Sequence, residues 1–261
     1  MTSFLFRLPR AALLTAALAA LPLAALPVTA LGQAAEEMSD AEREAFRAEI
    51  RAYLLENPEV LMEALEVLEA REAAAQAEMD DLMVQANAEA LFESPHAWEG
   101  GNPEGDITLV EFIDYRCGFC RRAFPEVQEL VESDGNIRIV VKEFPILGEQ
   151  SVLASRFAIA TKMIAGDAAY KDVHDALITM RGDMNPLALE LVAVDLGLDA
   201  DAIVAKMEDE EVTDVIRANH ALAQALQIQG TPTYVLGGQL VRGYVPLDGL
   251  REMVEAERTE G

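Results

Sequence analysis

The sequence predicts an α/β domain preceded by a separate helical segment, and three patterns carry this prediction. A stretch without glycine, from residue 39 to residue 92, spaces its apolar residues as helices do. Apolar runs suited to strands then alternate with helical stretches in the order strand, helix, strand, helical insertion, hairpin and helix. The only two cysteines of the 261 residues stand three positions apart, where the first of these strands meets its helix.

The composition argues against several classes of protein. The chain has 20 Lys and Arg against 46 Asp and Glu, which gives a formal charge of −26. Nucleic acids and anionic membrane surfaces attract clusters of basic residues, so this charge argues against both as partners. A disulfide-rich scaffold is excluded as well, because such scaffolds place many bridges in a short chain.

The first 34 residues are predicted to be a cleaved export signal. Arg7 and Arg10 supply its positive start, and residues 11–26 are almost purely Ala and Leu. Two sites suited to cleavage follow, of which we choose the second, before Ala35. The alternative is an uncleaved membrane anchor, although this run falls short of the roughly 20 residues that span a bilayer. The sequence therefore predicts a periplasmic or secreted protein.

Residues 35–93 are predicted to form a helical segment through which the chain self-associates. The segment starts at a capping box, Ser39–Glu42, and Asn57–Pro58–Glu59 divides it into two helices. The second helix carries the alternating steps of four and three that form a coiled-coil seam, at Leu61, Leu65, Leu68, Glu72, Ala75, Met79, Leu82 and Ala86. The alternative is an amphipathic helix packed on its own domain. A second copy of the chain is the simplest partner for such a stripe.

The α/β domain is predicted to span residues 94–261. Its elements are a linker (94–106), a buried strand (107–115), a helix (117–132), a second strand (137–144), a helical insertion (about 149–226), a hairpin (230–236 and 239–244) and a closing helix (247–258). Glycines and Asn185–Pro186 are expected to break the insertion into shorter helices.

Cys117 and Cys120 stand at the junction of the first strand with its helix. Unpaired backbone N–H groups and the helix dipole favour a thiolate at the first cysteine, and the second lies one turn later. Such a pair can form a disulfide and pass it to another protein. The alternatives are a zinc site, which needs about two further ligands, a purely structural disulfide, and soft ligands for Cu(I) in a copper-handling protein.

Three arginines flank the pair, and no acidic residue lies among them. We expect Arg116 and Arg121 to stabilise the thiolate, with Arg122 adding to the positive charge. In the alternative interpretation these arginines are ordinary solvated charges on a helix face.

Glu111 and Pro232 complete the predicted site. Glu111 shares the face of its strand with apolar neighbours, so burial is expected to raise the pKa of its carboxyl, which could then shuttle the proton of Cys120. Pro232 directly precedes a strand, where its lack of an N–H calls for a special turn, with a cis bond or an ordinary trans bond as the two possibilities. A solvated edge position remains the alternative for Glu111.

These motifs resemble the DsbA-like branch of the thioredoxin superfamily. The E-F-x-D-Y-x-C-x-x-C start, the interposed helices and the later G-T-P-T strand correspond over about residues 95–260. The resemblance implies a thioredoxin-like fold with a helical insertion and no cofactor beyond the redox-active disulfide. It also implies a role for each site residue: Cys117 as nucleophile, Cys120 as resolving thiol, Glu111 as buried acid, Pro232 as cis-proline, and Thr231, Gly118 and Phe119 as substrate-binding positions.

The added N-terminal segment is similar to that of exported ScsC-type and Com1-like proteins, some of which oligomerise and shuffle disulfides. The resemblance therefore implies an oligomeric disulfide isomerase that acts on exported proteins, with a DsbB- or DsbD-like membrane redox partner. A monomeric DsbA-type oxidase is the alternative. Gly118–Phe119 replaces the Pro-His of the usual DsbA pattern, which argues against a very low thiolate pKa.

Overall fold

The computed structural model describes residues 38–260, so the predicted export signal at residues 1–34 lies outside the described part. The chain divides into two compact units after Leu61. None of the helices between residues 38 and 260 combines the length and the apolar character that a bilayer crossing requires.

The described residues form nine helices and five strands. The helices are α1 (Asp40–Glu56), α2 (Glu59–Ala86), α3 (Ala88–Phe92), α4 (Gly118–Asp134), α5 (Glu149–Thr179), α6 (Pro186–Asp195), α7 (Ala200–Met207), α8 (Glu210–Ala225) and α9 (Leu247–Glu260). The strands are β1 (Trp98–Gly101), β2 (Ile107–Ile113), β3 (Ile137–Glu143), β4 (Thr233–Leu236) and β5 (Gln239–Arg242).

Helix α1 starts and ends as its sequence predicts. The N–H of Glu42 donates to Ser39 Oγ, and the N–H of Ser39 donates to the Glu42 carboxylate at 2.8 Å, which confirms the capping box. The side chain of Asn57 donates to the carbonyl of Tyr53 at 2.9 Å, where the helix stops. The predicted break before α2 is therefore confirmed.

The second unit is built on a five-stranded sheet in the order β1-β3-β2-β4-β5. Strands β2 and β3 run parallel, and the other neighbours pair antiparallel. Successive residues of β2 alternate between two cores, as the pleat requires. Leu109 and Ile113 face the core that holds α4, α5 and α9, whereas Val110 and Phe112 face the core that holds α3 and α8.

One expectation about the start of this unit is wrong. The predicted linker 94–106 contains β1, which pairs with β3, and the Trp98 indole donates to the carbonyl of Asp167 at 3.0 Å. The predicted domain boundary at residue 93 stays a prediction. Val84 and Leu91 are buried in the core that contains Val110, because the end of α2 and all of α3 cover that face of the sheet.

The helical insertion breaks at more places than its sequence predicts. The expected breaks are present at Gly166, where φ is +83°, and at Asn185, which caps α6. Two further turns, around residues 196–199 and 208–209, separate α6, α7 and α8. Asp199 caps α7 by accepting the N–H of Ala202 at 3.0 Å, so the additional start is locally encoded.

Candidate active site

Cys117 caps the N-terminus of α4. Its backbone is extended, with φ −71° and ψ 118°, and its sulfur accepts the N–H of Cys120 at 3.4 Å. The Cys117 thiol donates to the carbonyl of Thr231 at 3.1 Å. Both cysteines are free thiols and nearly buried, with 6% of Cys117 and 1% of Cys120 exposed. The first thiol therefore lies at the positive end of the helix dipole.

The environments of the two thiols drive their pKa values apart. A hydrogen bond from Cys120 is the largest cause that lowers the pKa of Cys117, to about 5, and bonds from Thr231 and from backbone N–H groups add to it against burial. The same hydrogen bond and burial raise the pKa of Cys120 well above its ordinary value. Cys117 is thus the thiolate at neutral pH and Cys120 its proton-bearing partner. This low pKa is present although Gly118–Phe119 replaces Pro-His.

The loop before β4 brings Thr231 and Pro232 to the thiol. The Thr231–Pro232 peptide bond is cis, which is one of the two possibilities that the sequence left open. The Pro232 carbonyl accepts the N–H of Gly243 at 2.9 Å, and Thr233 Oγ1 donates to the carbonyl of Gly230 at 2.8 Å. These bonds hold the loop so that the Thr231 carbonyl meets the sulfur of Cys117.

Glu111 is buried on the face of β2 that carries α4. It is 5% exposed, and burial raises its pKa to about 8. Tyr234 is the partner of Glu111 in β4, and it lowers the pKa of Glu111 by less than burial raises it. The charged form of Glu111 contributes to the raised pKa of Cys120, so the two groups compete for protons.

Asp114 fixes the turn that leads into Cys117, a role that the sequence did not reveal. Its fully buried carboxylate accepts the N–H of Arg116 at 2.7 Å and the hydroxyl of Ser151 at 2.8 Å. It also accepts the N–H groups of Ile146 and Leu147 at 2.8 and 3.0 Å. The active-site turn is therefore tied to the start of the helical insertion. Its position inside the E-F-x-D-Y motif is the feature of the sequence that could have indicated this role.

Tyr115 makes a second connection between this turn and the insertion. Its hydroxyl donates to the buried carboxyl of Glu143 at 2.7 Å, which also accepts the hydroxyls of Tyr170 and Ser155. Burial raises the pKa of Glu143 to about 7. His174 lies 3.1 Å from the Tyr115 hydroxyl. No pattern in the sequence pairs these residues, because they lie up to 59 positions apart in the chain.

Arg116 and Arg121 bind backbone carbonyls around the active site, and their predicted stabilisation of the thiolate stays a prediction. Arg121 donates to the carbonyls of Tyr115 and Met180 at 2.8 and 2.7 Å, and Arg116 donates to the carbonyl of Gly182 at 2.8 Å. Within residues 38–260, neither guanidinium hydrogen-bonds to the sulfur of Cys117. Met180 and Gly182 follow the end of α5, so two of these three bonds connect the active-site turn and the start of α4 to the helical insertion.

Gly118 and Phe119 form the exposed rim beside Cys117. Phe119 is 59% exposed and stacks on Tyr244, with ring centroids 6.4 Å apart. Arg122 lies over the Tyr244 ring at 4.4 Å, and the Tyr244 hydroxyl donates to Glu126 at 2.7 Å. An aromatic shelf of Phe119 and Tyr244 therefore borders the thiol. No pattern in the sequence pointed to Tyr244.

The described residues hold no group of three or more His, Cys, Asp and Glu side chains arranged to bind a metal ion. The chemistry that the arrangement offers is that of two thiols with widely different pKa values. A thiolate beside a protonated thiol, with a carboxyl of raised pKa on the same side of the sheet, suits thiol–disulfide exchange.

Comparisons with known proteins agree with this geometry. Residues 108–255 match the DSBA-like thioredoxin domain, and residues 42–75 match the copper resistance protein ScsC N-terminal domain. A thioredoxin-like oxidoreductase from Silicibacter pomeroyi DSS-3 is 43% identical, with a TM-score of 0.62 over 66% of this chain and 97% of that one. Proteus mirabilis ScsC in a transitional conformation is 25% identical, with a TM-score of 0.62 over 86% and 98%.

Among curated proteins, the Na(+)/H(+) antiporter NhaA 3 of Salinispora tropica is 28% identical over 154 residues, which are 59% of this chain and 24% of the antiporter. The chain thus spans about a quarter of the length of the first such relatives. The resemblance to DsbA-like and ScsC-type proteins is confirmed, and so is the thioredoxin-like fold with its helical insertion. The thioredoxin-domain match covers more than half of the sequence, and the chain therefore belongs to the DsbA-like thioredoxin domain family, a family of thiol–disulfide oxidoreductases.

Proposed function

We propose that this protein is an exported thiol–disulfide oxidoreductase that exchanges disulfides with polypeptide substrates through Cys117 and Cys120. One observation carries the proposal: a cysteine with a pKa of about 5 caps α4, and its partner one turn later has a raised pKa. Neither a structural disulfide nor a cysteine packed in the core requires such a difference between the pKa values of two thiols. It is the arrangement that nucleophilic attack followed by resolution requires.

The exchange begins at Cys117. Its thiolate attacks one sulfur of a substrate disulfide, so that a mixed disulfide forms and the other substrate sulfur leaves as a thiolate. In an isomerase that thiolate attacks a different disulfide of the substrate and displaces another substrate thiolate. This second thiolate attacks the substrate sulfur of the mixed disulfide, so that a new substrate disulfide forms and Cys117 leaves as a thiolate. If instead Cys120 loses its proton and attacks the mixed disulfide, the substrate leaves reduced and the Cys117–Cys120 disulfide forms.

Glu111 is proposed as the base for the resolving step. Cys120 must lose a proton before it attacks, and its raised pKa opposes this loss. Glu111 lies on the same face of the sheet with a pKa of about 8, so near neutral pH it can both take up and release a proton. The Thr231 carbonyl and cis-Pro232 are proposed to position the substrate backbone beside Cys117.

We propose that the protein acts as an oligomeric isomerase, with the predicted segment 35–93 supplying the assembly contact. Leu61, Leu65 and Leu68 are each about half exposed on α2, as the coiled-coil seam requires. This stretch overlaps the match to the ScsC N-terminal domain. Apolar stripes of this kind are stabilised by burial against a second copy, and several active sites around one substrate favour isomerisation.

Export to the periplasm is proposed from the predicted signal, with substrates that carry thiols or disulfides and a DsbB- or DsbD-like membrane redox partner. The net charge of −26 is consistent with a protein that remains monodisperse at high concentration and has no affinity for nucleic acid.

Turnover of a disulfide-containing polypeptide tests the redox proposal. Reduction of insulin and refolding of scrambled ribonuclease are both expected with the full chain, and Cys117→Ala is expected to abolish both. Leu187→Ala, at an exposed position of α6 that leaves both thiols in place, serves as the folded control. Retention of activity in Cys117→Ala contradicts the proposal, and oxidation of reduced ribonuclease without reshuffling of the scrambled form indicates the monomeric oxidase instead.

Light scattering tests the oligomer. Leu65→Glu with Leu68→Glu is expected to lower the particle mass to that of one chain, because each charge would be buried in the seam. Glu63→Gln is a neutral control on the same helix. An unchanged particle mass in the double variant, or a single-chain mass for the unsubstituted protein, rejects assembly through α2.

A further inference from the structure

A polar groove of about 510 Å³ lies between α2 and the loop that carries Pro232. Gln76 of α2 lines one side, and Gln227 and Gln229, which follow α8, line another. Thr231 also lines it, and the Thr231 carbonyl accepts the thiol of Cys117 at 3.1 Å. One end of the groove therefore lies next to the reacting sulfur.

The amides in this groove are free to bind a ligand. Gln76 Nε2 donates to Asp80 at 2.8 Å, whereas its Oε1 accepts no hydrogen bond from residues 38–260. The side chains of Gln227 and Gln229 are exposed and make no hydrogen bond within the same residues. A primary amide offers both donors and an acceptor, which is what the backbone of an extended polypeptide needs.

The backbone of Gln227 gives an independent reason to assign a role to its side chain. Gln227 has a φ of +55°, the one positive φ outside glycine among the described residues. It is the C′ residue of a Schellman motif, in which the N–H of Ile228 donates to the carbonyl of Ala223 at 2.8 Å and the N–H of Gln227 donates to the carbonyl of Gln224 at 3.1 Å. Glycine is strongly favoured at this position, since a Cβ is strained there. The chain instead places a long amide there, at the edge of the groove.

An ion pair fixes α2 as a wall of the groove. Asp80 is 6% exposed and accepts two hydrogen bonds from Arg242, at 2.6 and 2.9 Å. The next residue, Gly243, donates its N–H to the carbonyl of Pro232 at 2.9 Å. The same strand end thus holds both the helix that carries Gln76 and the loop that carries Thr231.

From these contacts we infer that the groove is a subsite for an extended polypeptide, and that Gln76, Gln227 and Gln229 bind the substrate backbone next to its reacting cysteine. The inference rests on the proposed function and adds the side chains, away from the two cysteines, that hold the substrate chain. Gln76 of α2 gives the predicted N-terminal segment a direct part in substrate binding.

Pre-steady-state kinetics of the oxidised full chain test this inference. A reduced cysteine peptide long enough to fill the groove is compared with reduced glutathione, each attacking the Cys117–Cys120 disulfide at Cys117 and releasing the Cys120 thiolate. Gln76→Ala and Gln227→Gly are the test variants. Gln224→Ala, an exposed glutamine of α8 outside this groove, is the matched control.

The half-saturating peptide concentration is expected to rise about three- to tenfold in each test variant, with the maximal rate unchanged, because each loses hydrogen bonds to the peptide. The glutathione rate and the control are expected to match the unsubstituted protein. If the half-saturating peptide concentration is unchanged in the test variants, the groove is not a peptide subsite. The same follows if the reactions with peptide and with glutathione slow equally. In both cases the proposed function stands. Absence of reaction with either thiol in the unsubstituted protein contradicts the proposed function itself.

Discussion

Replacing Cys120 with alanine is expected to raise the pKa of the Cys117 thiol. In the structure the hydrogen bond from Cys120 is the largest cause that lowers this pKa to about 5. A hydrogen bond to a charged acceptor contributes about 1.5–3 kcal/mol, and one pKa unit corresponds to about 1.4 kcal/mol. Loss of this bond therefore moves the pKa upward by about one to two pH units.

The assay follows the thiolate directly. Absorbance near 240 nm and the rate of alkylation by iodoacetamide are measured against pH for the reduced unsubstituted protein and for Cys120→Ala. In the unsubstituted protein both signals are expected to be lost as the pH falls through about 5. In the variant the loss is expected at a higher pH, with the same plateau above it, because the nucleophile itself is unchanged.

Thr231→Val is the accompanying variant, since Thr231 is the next cause that lowers the pKa. A smaller upward displacement is expected for it than for Cys120→Ala. A half-point near the ordinary cysteine value of about 8.5 in the unsubstituted protein refutes the reasoning. So does a half-point that stays in place when Cys120 is removed.

Three further expectations concern stability. Glu111→Gln is expected to raise the free energy of unfolding in urea by up to about 3 kcal/mol at pH 7, because the raised pKa of Glu111 makes its charged form unfavourable in the folded state. The gain should vanish near pH 4, where the carboxyl is protonated in both states. An equal gain at both pH values contradicts this. Leu91→Ala is expected to cost about 2–5 kcal/mol, since Leu91 is fully buried, and a change below 1 kcal/mol would remove α3 from the core. Gln227→Gly is expected to raise the melting temperature by about 2–4 °C, and a decrease contradicts the strain at φ +55°.

The site could be predicted from the sequence wherever its signal is local. Cys117 and Cys120 lie at a strand–helix junction that β-rich and helical patterns define over a few residues. Burial of Glu111 follows from the two-residue period of a strand with apolar neighbours, and the structure has it 5% exposed. In each case the residues that determine the outcome are adjacent in the chain.

Contacts between distant residues explain what the sequence did not reveal. Strand β1 consists of Trp98-Glu-Gly-Gly, which has little strand propensity, and it forms because β3 pairs with it and Asp167 accepts the indole N–H. Arg116 and Arg121 were assigned to the thiolate because they are its neighbours in sequence. Their partners are carbonyls about 60 residues later, at the end of α5.

The surface that each turn of α2 covers also depends on contacts between distant residues. A heptad pattern continues from Leu61 to Ala86 and indicates one helix, but it does not say which surface each turn covers. In the structure the early positions of α2 are exposed, whereas Val84 is buried against the sheet and Lys142 donates to the carbonyl of Ala90 at 2.8 Å. One helix is thus exposed at its start and packed on the sheet near its end.

Trapping of the mixed disulfide tests the central claim most directly. At pH 6 the reduced Cys120→Ala and Cys117→Ala variants are each mixed with a disulfide-containing peptide, and intact mass is recorded over time. We expect Cys120→Ala to gain the mass of one peptide strand rapidly, because its remaining thiol, Cys117, keeps the bonds from Thr231 and from backbone N–H groups that lower its pKa. Cys117→Ala is expected to gain none on the same timescale, because Cys120 is buried. Equal rates of adduct formation in the two variants, or faster reaction through Cys120, would contradict the central claim.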